Sequence, residues 1–256
     1  TGLMALIRRL VRALLLLLWF LILTVWVALV NRKKGWDGVA KAAAWTRLWA
    51  RGSARIAGHK ITVYGNPEAF EGGLIVGNHQ GYLDIVAHAS IFRIRFAPKK
   101  EIRSWPFLGF MISLNRPVWI DRKSRQKSKE AAEEMEATMQ NGIAMLVYPE
   151  GTSTDGQHGL LPFKSTPFEA AAELALPIQP TLLFYEGVPK QTEPLAWYGD
   201  QELLPHVWRI LGLKEIKMRV YVLPVVHPEP GEDRKALALR VHDLMEREYW
   251  RVKDDV

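Results

Sequence analysis

The sequence predicts an α/β domain with a mixed, largely parallel sheet flanked by helices, preceded by N-terminal membrane-associated helices. Three observations carry this. From Ala13 to Val30 the only polar side chain is Thr24, a run that at helical rise spans about 27 Å, close to the hydrocarbon thickness of a bilayer. Beyond Gly58, short β-rich runs alternate with helical stretches, the pattern of strands joined by helical crossovers. The 256 residues are 48% apolar and 24% charged, enough to build one sizeable core, which excludes disorder as the main state.

The apolar run is flanked by Arg8, Arg9 and Arg12 before and by Arg32, Lys33 and Lys34 after, so charge assigns no orientation. The basic residues directly behind it read as stop-transfer flanks or interface anchors rather than as a cleavage site. From Trp36 to Ala57 a second helix places Trp45, Trp49 and Ile56 on one face and Arg47, Arg51 and Arg55 roughly opposite. That pattern suits a helix lying in a membrane interface, and equally one packed on a globular domain with its arginines in water. Residues 1–57 are therefore expected to be membrane-anchoring helices and 58–256 a separate domain.

In that domain, strands are expected at Ile61–Tyr64, Leu74–Val76, Ile94–Pro98, Pro117–Ile120, Ala144–Tyr148, Ile178–Tyr185 and Lys217–Val226. Helices are expected at Leu83–Phe92, Trp105–Leu114, Ser124–Gln140, Phe163–Leu174 and Gly231–Trp250. The loop Gly151–Leu161, rich in Gly, Thr, Ser and Asp, is of the kind that carries function on a rigid sheet.

Composition narrows the chemistry. With no cysteine, disulfides, thiolate catalysis and Cys-based metal sites are excluded. The 34 basic against 27 acidic residues leave a net charge of +7 and a surface favouring anions, and ten tryptophans suit a membrane interface. The basic run Arg122–Lys129 opens a helix that continues with Glu130, Glu133, Glu134 and Glu136, so it reads as a solvated or membrane-facing surface and no nucleic-acid partner is expected. No Gly-x-Ser-x-Gly, Walker or dinucleotide motif is present, and no histidine pair has metal-ligand spacing, so no metal is expected.

What remains is Asn78-His79-Gln80-Gly81-Tyr82-Leu83-Asp84, running from a predicted strand into a predicted helix. A neutral imidazole takes a proton from an alcohol when its other ring nitrogen is held by a carboxylate, which makes His79 the candidate base and Asp84 its orienter. Tyr148-Pro149-Glu150-Gly151-Thr152-Ser153 follows an apolar strand, where open α/β sheets collect ligands. Glu150 and the Thr152 and Ser153 hydroxyls can orient polyol oxygens, and Gly151 lets backbone N–H groups approach an anion. Arg122, behind Val118-Trp119-Ile120-Asp121, can clamp a phosphate, and Lys99 and Lys100 add positive charge.

Together these residues resemble the glycerolipid acyltransferase family typified by bacterial 1-acylglycerol-3-phosphate O-acyltransferase. Asn78-His79 through Asp84 resembles its first block, and Lys99-Lys100-Glu101, Pro106-Phe107-Leu108-Gly109 and Ile120-Asp121-Arg122 its second. Tyr148-Pro149-Glu150-Gly151-Thr152 resembles the third and Leu176-Pro177-Ile178-Gln179-Pro180 the fourth. The resemblance implies transfer of a fatty acyl group from an acyl-CoA or acyl-carrier-protein thioester to a lysolipid hydroxyl at a membrane, with the catalytic domain facing the cytoplasm and no tightly bound cofactor. It implies His79 as base and Asp84 as its support, with Arg122, Glu150 and Gly151 holding the acceptor. Two departures stand out: Arg116 replaces a glycine usual in the second block, and Phe163-Lys164-Ser165-Thr166 replaces a more common Phe-Lys-x-Gly. The stretch from Glu150 to Ser165 is similar to the branch that includes lyso-ornithine-lipid acyltransferases, so 1-acylglycerol-3-phosphate and an aminoacyl lysolipid both stand as acceptors. A non-catalytic lipid-binding module would keep the basic and Trp-rich surfaces without needing His79 and Asp84 beside Glu150.

Overall fold

A computed structural model of the chain describes residues 2–31, 34–70, 72–105, 108–121, 123–186 and 194–253. Helix α1 (Gly2–Val30) continues the apolar run back through the three arginines and is long and apolar enough to cross a membrane. It buries Phe20, Leu23 and Val27 and leaves most of its leucines exposed. Helix α2 (Gly35–Ala57) runs back along it. The Trp19 indole donates to Trp49 O at 3.1 Å and lies so close to Gly52 that a Cβ there would fall 2.3 Å from the ring, while Trp26 meets Trp45 edge-on.

The other side of α2, lined by Ala42, Ala43, Ala50 and Ala54, is buried against helix α3 (Tyr82–Ile91). Of the two placements open to this helix, packing on the domain is therefore observed. Its arginines are not simply solvated: Arg51 donates to Ser90 O and Arg47 pairs with Glu68.

The six strands are β1 (His59–Tyr64), β2 (Leu74–Gly77), β3 (Ile94–Arg95), β4 (Ala144–Val147), β5 (Ile178–Glu186) and β6 (Ile216–Val222), in the order β1-β6-β5-β2-β4-β3. Every pairing is parallel except β5 with β6, giving the mixed, largely parallel sheet that the alternating pattern predicts. Leu74, Ile75 and Val76 have no exposed surface, as expected for a central strand covered on both faces. Leu74 and Val76 point to one side, into a core with Met145, Phe168, Leu182 and Met245, and Ile75 points to the other, with Leu83, Ala87, Leu183 and Met218.

Prolines explain several departures from expectation. Pro117–Ile120 forms a single bridge, Lys99 with Ile120; Pro98 accepts from Ile120 N at 2.9 Å but has no N–H to return. Pro224 stands where β6 was expected to continue, and the helix expected over Phe163–Leu174 shrinks to a 3₁₀ turn at Thr166–Phe168 and α6 (Glu169–Glu173), with Pro167 in its entry. Helices α4 (Leu108–Leu114) and α5 (Arg125–Gln140) fall where expected, the latter capped by Ser124. Helix α7 (Leu203–Leu211) was not anticipated; Pro205 sits in its first turn, where proline is tolerated. Helix α8 (Arg234–Lys253) starts after Asp233, whose carboxylate accepts from the Lys235 and Ala236 amides.

Candidate active site

Strands β2, β4 and β5 are mutually aligned, so their C-terminal ends converge on one edge of the sheet, where ligands of such folds bind. The last β2–β5 pair is Gly77 with Thr181. Where the β2 chain turns away, the Asn78 side chain takes over the ladder: its Oδ1 accepts from Leu183 N at 2.7 Å and its Nδ2 donates to Leu183 O at 2.9 Å. This locks the backbone just before His79.

The next turn delivers Asp84 back to His79, as the sequence spacing predicts. Gly81 has φ +146, and a Cβ there would press on the Trp197 backbone at 3.0 Å, so glycine is required at the corner. Asp84 lies at the third position of α3 and is completely buried. Its Oδ2 lies 3.0 Å from His79 Nδ1 and accepts from Gln80 N at 2.5 Å and Gly81 N at 2.9 Å. The Tyr185 hydroxyl donates to Oδ1. Every partner is a donor, so the group is held as a carboxylate, and the His79 proton is drawn to Nδ1, leaving Nε2 as the basic nitrogen. The imidazole keeps 21% of its surface exposed.

The third motif grips the histidine from outside. Glu150 Oε1 accepts from His79 N at 2.8 Å, its Oε2 accepts from Leu161 N at 3.0 Å, and Thr154 N donates to His79 O at 2.9 Å. The carboxylate of Glu150, expected to face the acceptor, is thus turned inward and only 5% exposed, with both oxygens engaged by backbone amides. Burial raises its pKa above the ordinary carboxylate value. Gly151 (φ +75) and Thr152 are exposed on the turn that follows, and the Lys164 side chain lies over Gly151.

Lys99 and Lys100 lie on a different segment, and among the described residues no hydrogen bond joins either to the dyad. Lys100 Nζ pairs with Asp121 Oδ2 at 3.0 Å, which raises the lysine and lowers the aspartate from their ordinary values. Arg122 lies outside the described residues.

Several supporting roles escaped the sequence reading. The His79 ring stacks on Tyr148, with centroids 4.2 Å apart and planes 13° apart, and the Tyr148 hydroxyl lies 3.2 Å from Nδ1 of the fully buried His88. His88 Nε2 is 2.8 Å from Thr181 Oγ1, and burial lowers the pKa of this imidazole, which keeps it neutral. From α8, the Tyr249 hydroxyl donates to Gly156 O at 2.6 Å and Glu246 accepts from Leu160 N at 2.7 Å, pinning the Gly151–Leu161 loop. These contacts link residues far apart in the chain, and only the inward-facing stripe Leu237, Val241, Met245 and Tyr249 hinted at them.

A buried carboxylate held against one nitrogen of a partly exposed histidine at a sheet edge is an arrangement that can deprotonate a hydroxyl. Comparison with known proteins gives the arrangement a lineage. The sequence profile named Acyltransferase matches residues 60–184. The chain is 34% identical over 200 residues to a lyso-ornithine lipid O-acyltransferase of Brucella abortus, covering 72% of this chain and 74% of that protein. The chain belongs to the acyltransferase family. A 1-acyl-sn-glycerol-3-phosphate acyltransferase of Neisseria gonorrhoeae is 30% identical to this acyltransferase over 226 residues, 86% of this chain and 88% of that protein. The crystal structure of the 1-acyl-sn-glycerophosphate acyltransferase PlsC from Thermotoga maritima shares the fold, with a TM-score of 0.63 and 19% identity over 96% of this chain and 98% of that one.

Proposed function

We propose that this acyltransferase moves a fatty acyl group from an acyl-CoA or acyl-carrier-protein thioester to the free hydroxyl of a lysolipid, with 1-acylglycerol-3-phosphate as first acceptor and phosphatidic acid as product. The observation that carries it is the 3.0 Å contact of His79 Nδ1 with the buried Asp84 carboxylate. His79 Nε2 takes the hydroxyl proton as the oxygen attacks the thioester carbonyl. Collapse of the tetrahedral intermediate then expels the thiolate, to which the imidazolium returns the proton. No acyl-enzyme is needed, and Asp84 stabilises the imidazolium in between.

A phosphate headgroup suits the net charge of +7 and the exposed Lys99. Arg122 is assigned to that phosphate, with Lys100, Gly151 and Thr152 as further acceptor contacts, while Glu150 acts by fixing the His79 backbone. An aminoacyl lysolipid is the second reading, favoured by the likeness to the Brucella lyso-ornithine lipid O-acyltransferase. Helix α1 anchors the enzyme in the membrane from which the lysolipid comes, with the catalytic domain on the cytoplasmic side, where activated acyl donors are made.

The test is acyl transfer by purified protein from a labelled thioester to lysophosphatidic acid or to lyso-ornithine lipid. Faster acylation of lysophosphatidic acid is expected, and His79→Ala should lower turnover about 10²–10⁴-fold. Brisk acylation of lyso-ornithine lipid alone would move the acceptor to the second reading. Near-normal transfer by His79→Ala would defeat the mechanism and favour a lipid-binding module.

A further inference from the structure

The Asp84 carboxylate divides its two oxygens between different jobs. Oδ2 serves His79 and the two amides of the corner, all from the segment that the motif itself supplies. Oδ1 is served by Tyr185, 101 residues away near the end of β5. Neither the spacing of the first motif nor any of the other three includes this tyrosine.

We propose that Tyr185 is a positioning residue for the dyad: its hydroxyl holds the far oxygen of Asp84, fixing the carboxylate's rotation and drawing charge away from the oxygen that faces His79. The proposal rests on the reading of His79 as general base. Its physical basis is that a fully buried carboxylate is tolerated only with its lone pairs satisfied, and that hydrogen bonds to a charged acceptor are among the strongest a protein makes. Without Tyr185, Oδ1 loses its donor, and the carboxylate is free to turn and carries more charge toward the imidazole. The imidazolium is then overstabilised, so the base is occupied by a proton up to a higher pH.

The surroundings leave few other candidates for such an effect. Asp84 faces His79, Gln80 and Gly81 from the preceding loop, His88 from its own helix, Tyr148 and Glu150 from the end of β4, and Tyr185 from β5, with Tyr82 nearby. Burial holds His88 neutral and pushes the Tyr82, Tyr148 and Tyr185 hydroxyls well above the usual phenol range, so Tyr185 is a donor throughout the working range. Glu150 is raised by burial, but its oxygens face the His79 and Leu161 amides rather than Asp84.

The test is the pH profile of kcat/KM in the full chain. For Tyr185→Phe the acid limb should move up by about half to one pH unit and kcat at neutral pH should fall about tenfold, with acceptor KM unchanged. Replacement of Tyr185 by 3-fluorotyrosine, a stronger donor of nearly equal size, should move the limb down; this arm survives even if Tyr185→Phe folds poorly. In an Asp84→Asn background, Tyr185→Phe should change the rate less than about twofold, because the partner it acts through is gone. An acid limb unmoved in both Tyr185 variants, or a full tenfold loss in the Asp84→Asn background, overturns the proposal. If His79→Ala keeps its activity, the general-base reading falls first; if His79→Ala is inactive and the limb does not move, only the role of Tyr185 falls.

Discussion

The corner Asn78–Asp84 and the helix α1 reverse the ordinary distribution of polarity in opposite senses. The corner takes a carboxylate out of water altogether and surrounds it with four donors; α1 takes leucines and isoleucines out of any core and leaves Ile22 64% and Leu29 59% exposed. Scattered exposed apolar residues need no explanation, but a buried charge and a continuous apolar helix face do. A charge is buried where its field must act undiluted on one neighbour. A continuous apolar face left open is one that non-aqueous surroundings would suit. The same chain thus builds one environment drier than its surface and another suited to lipid, and an enzyme for amphiphilic substrates has use for both.

The strongest way to break the first half of the contrast is to keep the shape of Asp84 and remove its charge. Asp84→Asn preserves the side-chain volume and one acceptor, but places an NH₂ group where one of the present donors points. Activity should fall at least 10²-fold, as expected when a base loses its orienting charge, while acceptor KM changes little. Steady-state rates on a folded variant check this. Unchanged kcat would mean that the buried charge serves only to cap α3.

The second half is tested by extraction. If α1 lies in the hydrocarbon, the full chain should stay in the membrane pellet through high-salt and alkaline washes and leave it only with detergent. Release by salt alone would show that the seven excess positive charges, rather than the exposed leucines, hold the protein to the surface.

Both regions were legible in the sequence for the same reason: each is a local pattern. The apolar run needs only neighbours in the chain, and His79 and Asp84 are five residues apart, so a single strand-to-helix turn joins them. The strands of the buried sheet were equally clear, since Leu74–Val76 and Ala144–Val147 are short apolar runs between turn residues. What did not show was whatever depends on distant pairing. Tyr185, Glu246 and Tyr249 read as ordinary core or surface residues until the β5 and α8 segments are brought to the corner, and Tyr148, though part of the third motif, had no role until β4 set it against His79. Glu150 was recognised as important but with its carboxylate facing outward; only the fold reveals that the His79 and Leu161 amides claim both oxygens. The positive φ of Arg116 (48°) explains why a glycine would be natural there, which the sequence comparison flagged without a cause.

Beside α1, a smaller effect is expected. His59 opens β1 just beneath the junction with α1; its two ring nitrogens are buried without hydrogen-bond partners, and burial, with the nearby Arg12 charge, lowers its pKa to about 4. The unfolded chain takes up this proton near 6.5 and the folded chain only near 4. The stabilisation is therefore fully present above 6.5 and is lost as the pH falls towards 4, by at most about 3 kcal/mol. Thermal melts in detergent should show His59→Phe losing less stability than the parent between these limits. Parallel pH profiles for the two proteins would exclude the effect.

The smallest effect belongs to the tie itself. Arg12, in α1, donates to Leu211 O, the last carbonyl of α7, at 3.1 Å, and to Leu213 O and, at 2.9 Å, Lys214 O in the loop that follows, where a positive charge near a helix C-terminus is favoured. Arg12→Gln should cost about 1–2 kcal/mol, which for a chain of this size lowers the melting temperature by a few degrees. The same substitution removes the positive charge that helps keep His59 neutral, so the loss of stability on acidification should become shallower. The two consequences have opposite signs: a lower melting temperature at pH 8, and a smaller further drop between 6.5 and 4. Melting curves at those pH values separate them, and because Arg12 does not belong to the dyad corner, kcat measured in the same detergent should stay within about twofold of the parent. An acid loss in Arg12→Gln as steep as in the parent would show that Arg12 and His59 are uncoupled, and a large fall in kcat would show that the apolar helix and the buried dyad form one cooperative unit.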